Sequence, residues 1–155
     1  VETPKPELLR YHQDSGLTYQ VADFSRIDAE PVLKVFYYHD DHDAAEHLSA
    51  LEQQILGRYG DRLTTTYALP VVLEVMAHGV SKGDALARVL DRLGIAPSEV
   101  IAFGDGPNDL EMLRLAGKGV IMGNAAPALR AALPDLEVIG SNTEESLARF
   151  LERLL

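Results

Sequence analysis

Two aspartates, four residues apart and separated by Gly-Pro-Asn, mark the part of this 155-residue chain best equipped for chemistry. In Gly104-Asp105-Gly106-Pro107-Asn108-Asp109 the apolar run Val100 to Phe103 comes just before, and a helical pattern follows. A strand at 100–103 puts Asp105 at its carboxyl end and Asp109 in the first helical turn, so the two carboxylates can converge on one point. Paired hard oxygens with room for water suit Mg2+, which takes one or two carboxylates together with substrate phosphate. The competing account makes Asp109 or Asn108 a helix cap that complements the dipole. Asp105 is not absorbed by that account, because its neighbours already cover the capping role.

A second candidate is Lys82, in Ser81-Lys82-Gly83-Asp84. This segment reads as a helix start of the capping-box kind, with Ser81 at the N-cap and Asp84 three residues on. Lys82 then occupies the first helical position, where a cation faces the positive end of the helix dipole. A bound phosphate would satisfy both the ammonium and the free N–H groups of the first turn. The plain alternative is a solvated surface lysine.

The elements that must position these residues change character near Gly79. Before it, the pattern predicts a helix at Pro6–His12, a turn at Asp14-Ser15-Gly16, and strands at Leu17–Ala22 and Val32–Tyr38. A helix at about Asp43–Arg58 and strands at Leu63–Tyr67 and Val71–Ala77 follow. Strands outnumber helices, which describes an α+β segment built on an open sheet. After Gly79, the spacing predicts a helix over Lys82–Leu93 closed by Gly94. Short apolar strands at Val100–Phe103, Gly119–Met122 and Leu136–Ile139 then alternate with helices at about Asn108–Ala116, Pro127–Leu133 and Thr143–Leu154. That alternation requires an α/β, Rossmann-like parallel sheet whose ligand site lies at the carboxyl ends of its strands.

Composition narrows the function classes. The chain has 14 Lys and Arg against 24 Asp and Glu, for a formal net charge of −10, which opposes attraction to nucleic acid or an anionic membrane. With no cysteine, a disulfide scaffold, a thiolate zinc site and a cysteine nucleophile are all excluded. The sequence contains no uninterrupted apolar run long enough for a membrane-spanning helix, and the segment Val1-Glu-Thr-Pro-Lys-Pro6 has no apolar signal core. The chain opens on Val, which suggests a cut or processed end.

Taken together, Gly79-Val-Ser-Lys82-Gly, Gly104-Asp105-Gly-Pro-Asn108-Asp109-Leu-Glu-Met-Leu and Ile121-Met-Gly-Asn124-Ala resemble the haloacid dehalogenase superfamily of phosphohydrolases. The spacing and the Asn-Ala segment are similar to its Cof-type subfamily. The resemblance implies that residues 1–78 are the later part of an α/β cap domain, and that 79–155 are the C-terminal half of the hydrolase core. It implies that Lys82 and Asp105 are catalytic, that Lys82 and Asn108 bind the phosphoryl group, and that Asp105, Asp109 and Gly106 form the metal site. Within that set Asp105 would ligate Mg2+ directly, Asp109 would support the metal shell or its waters, and Gly106 would leave the backbone open to close approach. The expected whole protein is a cytoplasmic, Mg2+-dependent phosphatase acting on a small phosphorylated metabolite, such as a sugar phosphate, through an aspartyl-phosphate. No nucleic-acid or membrane partner is expected.

The family's nucleophile segment, Asp-x-Asp-Gly-Thr/Val, has no counterpart here. Asp41-His42-Asp43 continues Ala44-Ala45 and precedes Lys82 by only 41 residues, so it reads as a strand-to-helix turn with Asp43 as N-cap. Thr64-Thr65-Thr66 likewise lacks the core strand that the family's Ser/Thr motif needs. The expected chain is therefore the C-terminal part of a longer protein, short by about 100 residues, a small domain's worth. Two other readings stand beside the phosphatase: a phosphomutase on the same core, and a metal- and phosphate-binding module without a nucleophile. His39, His42 and Glu46, with His42 and Glu46 one helical turn apart, or His42 and His47, read as a solvated turn rather than a metal cluster, and Tyr37, Tyr38 and His39 at the strand's end are the alternative border of a substrate entrance.

Overall fold

The computed structural model describes residues 23, 25, 32–39 and 41–154. The expected helix at 6–12, the turn at 14–16 and the strand at 17–22 lie outside these residues. The chain divides into two compact units at Val32/Leu33. In the first, the Asp23 carboxylate accepts from the Ser25 backbone N–H (3.0 Å) and hydroxyl (2.8 Å), which holds its carboxyl below the ordinary value.

The second unit, Leu33–Leu155, begins with an antiparallel sheet. Strand β1 (Val35–Tyr38) leads to helix α1 (Ala44–Tyr59), then β2 (Leu63–Leu69) and β3 (Val72–Ala77), in the order β1-β3-β2. The register sets Val35 opposite Val75 and Thr65 opposite Val75 on the other side, so β3 is bonded on both edges. Alternation along β3 divides its faces, and Leu73 and Val75 join Leu48 of α1 in a buried cluster flanked by Leu51, Ile55, Leu63 and Tyr67. Strand β1 is shorter than expected, because Val32 and Leu33 are exposed and unpaired in the sheet.

After Gly79 the chain builds a second sheet, which is parallel. Helix α2 (Lys82–Leu93) spans the predicted residues, and then β4 (Ile101–Gly104), α3 (Leu110–Leu115), β5 (Lys118–Ile121), α4 (Pro127–Ala132), β6 (Glu137–Val138) and α5 (Ser146–Glu152) follow. The strand order is β4-β5-β6, with Ile101 opposite Lys118 and Ile121 opposite Val138. Ala102, Leu113, Ile121, Ala125, Leu129 and Leu133 form its core. Burying each of the larger side chains contributes about 1.5–3 kcal/mol. Phe150 of α5 meets Phe103 edge to face at 5.4 Å, closing the other side of the sheet.

Two expected helices are shorter than their apolar patterns. Pro107 starts a 3-10 turn, Pro107–Asp109, so regular helix begins only at Leu110. Near the C-terminus, Glu145 takes φ 55° between a 3-10 turn at Asn142–Glu144 and α5, which breaks the predicted 143–154 helix. Among the described residues, no helix is long and apolar enough to cross a membrane.

Candidate active site

Helix α2 begins as its sequence predicts, with the Ser81 hydroxyl accepting from the Asp84 backbone N–H at 3.1 Å. The reciprocal half of the capping box is replaced, because the Asp84 carboxylate takes Arg88 Nε at 2.7 Å. Gly83 brings this helix start against α3. A Cβ at Gly83 would lie 2.6 Å from Glu111 Cβ and 3.0 Å from the Glu111 carbonyl carbon. That close approach sets Lys82 beside the turn after β4.

There the Lys82 ammonium donates to Asp109 Oδ1. The other Asp109 oxygen accepts from the backbone N–H of Asp105 (2.9 Å) and of Gly106 (3.0 Å). Its side chain is only 5% exposed, so Asp109 is a buried charge fully engaged by its own turn. Burial alone pushes its carboxyl up. The Lys82 hydrogen bond, the two backbone N–H groups and the Lys82 charge outweigh that, and the net shift is downward from 3.8. Gly104 makes room for this arrangement, since a Cβ there would sit 2.5 Å from Asp109 Cβ. The anion that compensates Lys82 at its dipole-opposed position is therefore Asp109 itself. The ammonium is half exposed, and one of its three donors is used among the described residues, which leaves two for a ligand.

Asp105 stands differently. It is exposed, and its Oδ2 accepts from Asn124 Nδ2 at 2.7 Å, while its carbonyl accepts from the Ala126 N–H at 2.9 Å. Its Oδ1 has no hydrogen-bond partner among the described residues. Asn124 in turn accepts on Oδ1 from the Asn142 N–H at 3.0 Å. The sequence shows Asn124 in a motif but gives no sign of this bridge, because its partners lie 19 and 18 residues away on other loops. The Asn108 amide makes no hydrogen bond among the described residues, and its oxygen fills the space that a Gly106 side chain would take. The turn thus gathers Lys82, Asp105, Gly106 and Asp109 through direct bonds, with Asn108 on the same 3-10 turn.

The aspartates at 41 and 43 belong elsewhere, between β1 and α1. His39 Nε2 lies 3.0 Å from Asp43 Oδ1 and 3.9 Å from Asp41 Oδ2, and its ring stacks on His47 at 4.4 Å. Asp43 occupies the N-cap position but makes no capping bond with its side chain, because His39 holds the carboxylate instead. These His and Asp side chains come close enough to share an ion. His42 and Glu46, paired in the sequence reading, are not part of that group. Thr64 and Thr65 lie on β2, where their hydroxyls bond the Gly79 N–H (3.0 Å) and Glu52 (2.7 Å).

Comparisons with known proteins identify the family. A family model described as haloacid dehalogenase-like hydrolase matches residues 2–151. An HMP-PP phosphatase of Citrobacter koseri is 41% identical over 150 residues, covering 97% of this chain and 54% of that protein. A solved haloacid dehalogenase-like hydrolase from Bacteroides thetaiotaomicron has a TM-score of 0.75 at 29% identity, covering 99% of this chain and 56% of its own. A haloacid dehalogenase subclass IIB sugar phosphatase has a TM-score of 0.67 at 25% identity, covering 81% of this chain and 44% of its own. The chain spans about half the length of the curated relatives it matches. By its motifs, its parallel sheet and these matches, the chain belongs to the haloacid dehalogenase-like hydrolases, the superfamily whose Cof-type branch its motifs resemble.

Proposed function

We propose that the full-length protein containing this chain is a cytoplasmic, Mg2+-dependent phosphatase that hydrolyses a small phosphorylated metabolite, such as a sugar phosphate, through an aspartyl-phosphate. The observation that carries this reading is the turn after β4, which pairs an exposed carboxylate having one unclaimed oxygen with a lysine having two unclaimed donors. The relatives' names, an HMP-PP phosphatase and a sugar phosphatase, support the substrate class. We assign residues 1–78 to a cap and 79–155 to the core half that carries these groups.

The donor set fits the metal, because Asp105 Oδ1 is a hard anionic oxygen without a partner among the described residues, at the carboxyl end of a parallel strand. When bound, Mg2+ supplies charge neutralisation at phosphoryl oxygens. Asp105 would hold it directly. Asp109, with both oxygens engaged, would support it by fixing the Asp105-Gly106 backbone, and Gly106 leaves room for the Asn108 amide. Lys82 and the Asn108 amide would bind the phosphoryl group, and Lys82 would stabilise the charge that grows on it during transfer. The attacking carboxylate is assigned to a segment outside these 155 residues.

The test is the hydrolysis of small phosphate esters by the full-length protein across a Mg2+ titration. Lys82→Ala and Asp105→Asn should each lower kcat/KM at least about a hundredfold, the scale of losing one charge-stabilising group. Asp105→Asn should also weaken Mg2+ activation, whereas Lys82→Ala should leave the metal requirement intact. The isolated 155-residue chain should not turn over. Folded variants that match the parent, or turnover by the isolated chain abolished by Asp41→Asn, would overturn the assignment.

A further inference from the structure

We propose that Asn124 is a positioning residue that aims Asp105 by gripping one of its two carboxylate oxygens. The inference rests on the reading of Asp105 as the metal ligand and adds the device that orients it. The amide lies in the turn between β5 and α4, one loop away from the carboxylate it holds. Its orientation follows from chemistry. The Asn142 backbone N–H can only donate, so the atom facing it at 3.0 Å is Oδ1, and Nδ2 must then point at Asp105 Oδ2, 2.7 Å away. An amide held at both ends has no freedom to rotate, and neither has the carboxylate oxygen that receives it.

The bridge joins three loops that follow three successive strands. Asp105 follows β4, Asn124 follows β5, and Asn142 follows β6. Backbone bonds brace the same junction, from the Ala126 N–H to the Asp105 carbonyl (2.9 Å) and from the Gly123 N–H to the Gly140 carbonyl (2.9 Å). Asn142 is itself fixed, because it opens the 3-10 turn in which the Ser141 N–H donates to Glu144 Oε2 at 2.7 Å. A single side chain therefore transmits the position of the β6 loop to the carboxylate on β4. Without it Asp105 could choose among rotamers, and Oδ1 would no longer be held in one direction.

Groups that orient a metal ligand without touching the metal change its affinity by about 10- to 100-fold when removed. The experiment measures Mg2+ binding calorimetrically on the full-length protein without substrate, alongside Mg2+ activation of phosphate-ester hydrolysis. Asn124→Ala should raise the Mg2+ Kd about tenfold or more, with kcat recovering at saturating Mg2+. Asn142→Pro deletes the donor that orients the amide while leaving Asn124 in place. Proline is tolerated at the first position of the turn, after a Ser141 already at φ −67°, ψ 158°. It should produce a smaller rise in the same direction, and the double variant should be no worse than Asn124→Ala, because both act through one amide. If Asp105→Asn weakens Mg2+ binding but the folded Asn124→Ala and Asn142→Pro variants bind like the parent, the positioning role is wrong and the metal assignment stands. If Asp105→Asn itself leaves Mg2+ binding unchanged, both fall.

Discussion

The antiparallel and parallel sheets both enclose acidic side chains, and they treat them differently. On the antiparallel side two acids, Glu52 and Glu74, are consumed by structure. Glu52 of α1 takes the Thr65 hydroxyl on one oxygen (2.7 Å) and the Tyr67 hydroxyl on the other (3.1 Å), while the buried Glu74 pairs with Lys34 at 2.9 Å. On the parallel side Asp109 is consumed in the same manner, yet Asp105, four residues earlier, is left exposed with half its carboxylate unclaimed among the described residues. Buried polar groups without partners cost stability, so closed networks are the expected outcome of folding. Asp105 is exposed, so that cost does not fall on its open oxygen, which solvent can satisfy and a ligand can take over.

The comparison breaks most readily at Asp109. Asp109→Ala removes the acceptor of two backbone N–H groups and the partner of Lys82, and should destabilise the protein by about 3 kcal/mol, at the low end for a buried pair because Lys82 is half exposed. Chemical unfolding measures it. The same group predicts an acid limb. The Asp109 carboxyl is lowered in the folded state, so its contribution is present above 3.8 and is lost as pH falls through the folded value. Unfolding curves for the parent should weaken below that pH more steeply than those of Asp109→Asn.

Gly83→Ala sharpens the comparison by moving a site group without changing its chemistry. The new methyl meets Glu111 backbone, which cannot swing aside, so α2 and α3 must separate at a cost of about 1–3 kcal/mol. Lys82 moves with the helix, so kcat/KM should fall while Mg2+ affinity is retained. A fully active, equally stable variant would show that the close approach does not position Lys82.

The smallest effect belongs to the closed side. Tyr67→Phe deletes one hydroxyl from the Glu52 network and should cost about 1 kcal/mol, with kcat unaffected. Burial first, and then the hydrogen bond and charge of Glu52, push the Tyr67 phenol up to about 12. A raised phenol adds stability below its ordinary 10.0 that is lost as pH rises through 12. Ultraviolet titration of the parent should therefore show a tyrosine ionising near 12, and Tyr67→Phe should remove that step.

Much of the frame was legible in the sequence, for reasons that particular elements make clear. Helix α2 carries its own boundaries, Ser81 at one end and Gly94 at the other, and the structure keeps both. The Gly-Asp-Gly-Pro-Asn-Asp segment announced its place after a strand, since β4 must end where the apolar run ends. Capping by Asp43 failed because a competing partner, His39, sits four residues earlier in sequence and folds back onto it. The helix expected from Asn108 begins late, after the 3-10 turn Pro107–Asp109, and nothing in the apolar period encodes that. The bonds from Lys82 to Asp109 and from Asn124 to Asp105 span 27 and 19 residues. Periodicity reports which face a residue occupies, and says nothing about which loop will meet it.

The two-residue link between β2 and β3 also sets an order in time. Leu69 lies opposite Val72 across Pro70 and Val71, so that hairpin can close locally, on the scale of about 1–10 μs. Strands β4 and β5 cannot pair until the chain has passed through α3, and β6 needs α4 as well, since parallel neighbours require a crossover. Non-local pairing of that kind is the slow part of folding. The Asp105-Asn124-Asn142 bridge exists only once all three parallel strands are side by side. The open carboxylate is thus assembled only after them, and the proposed Mg2+ binding, followed during refolding, would mark the moment at which these three strands have come together.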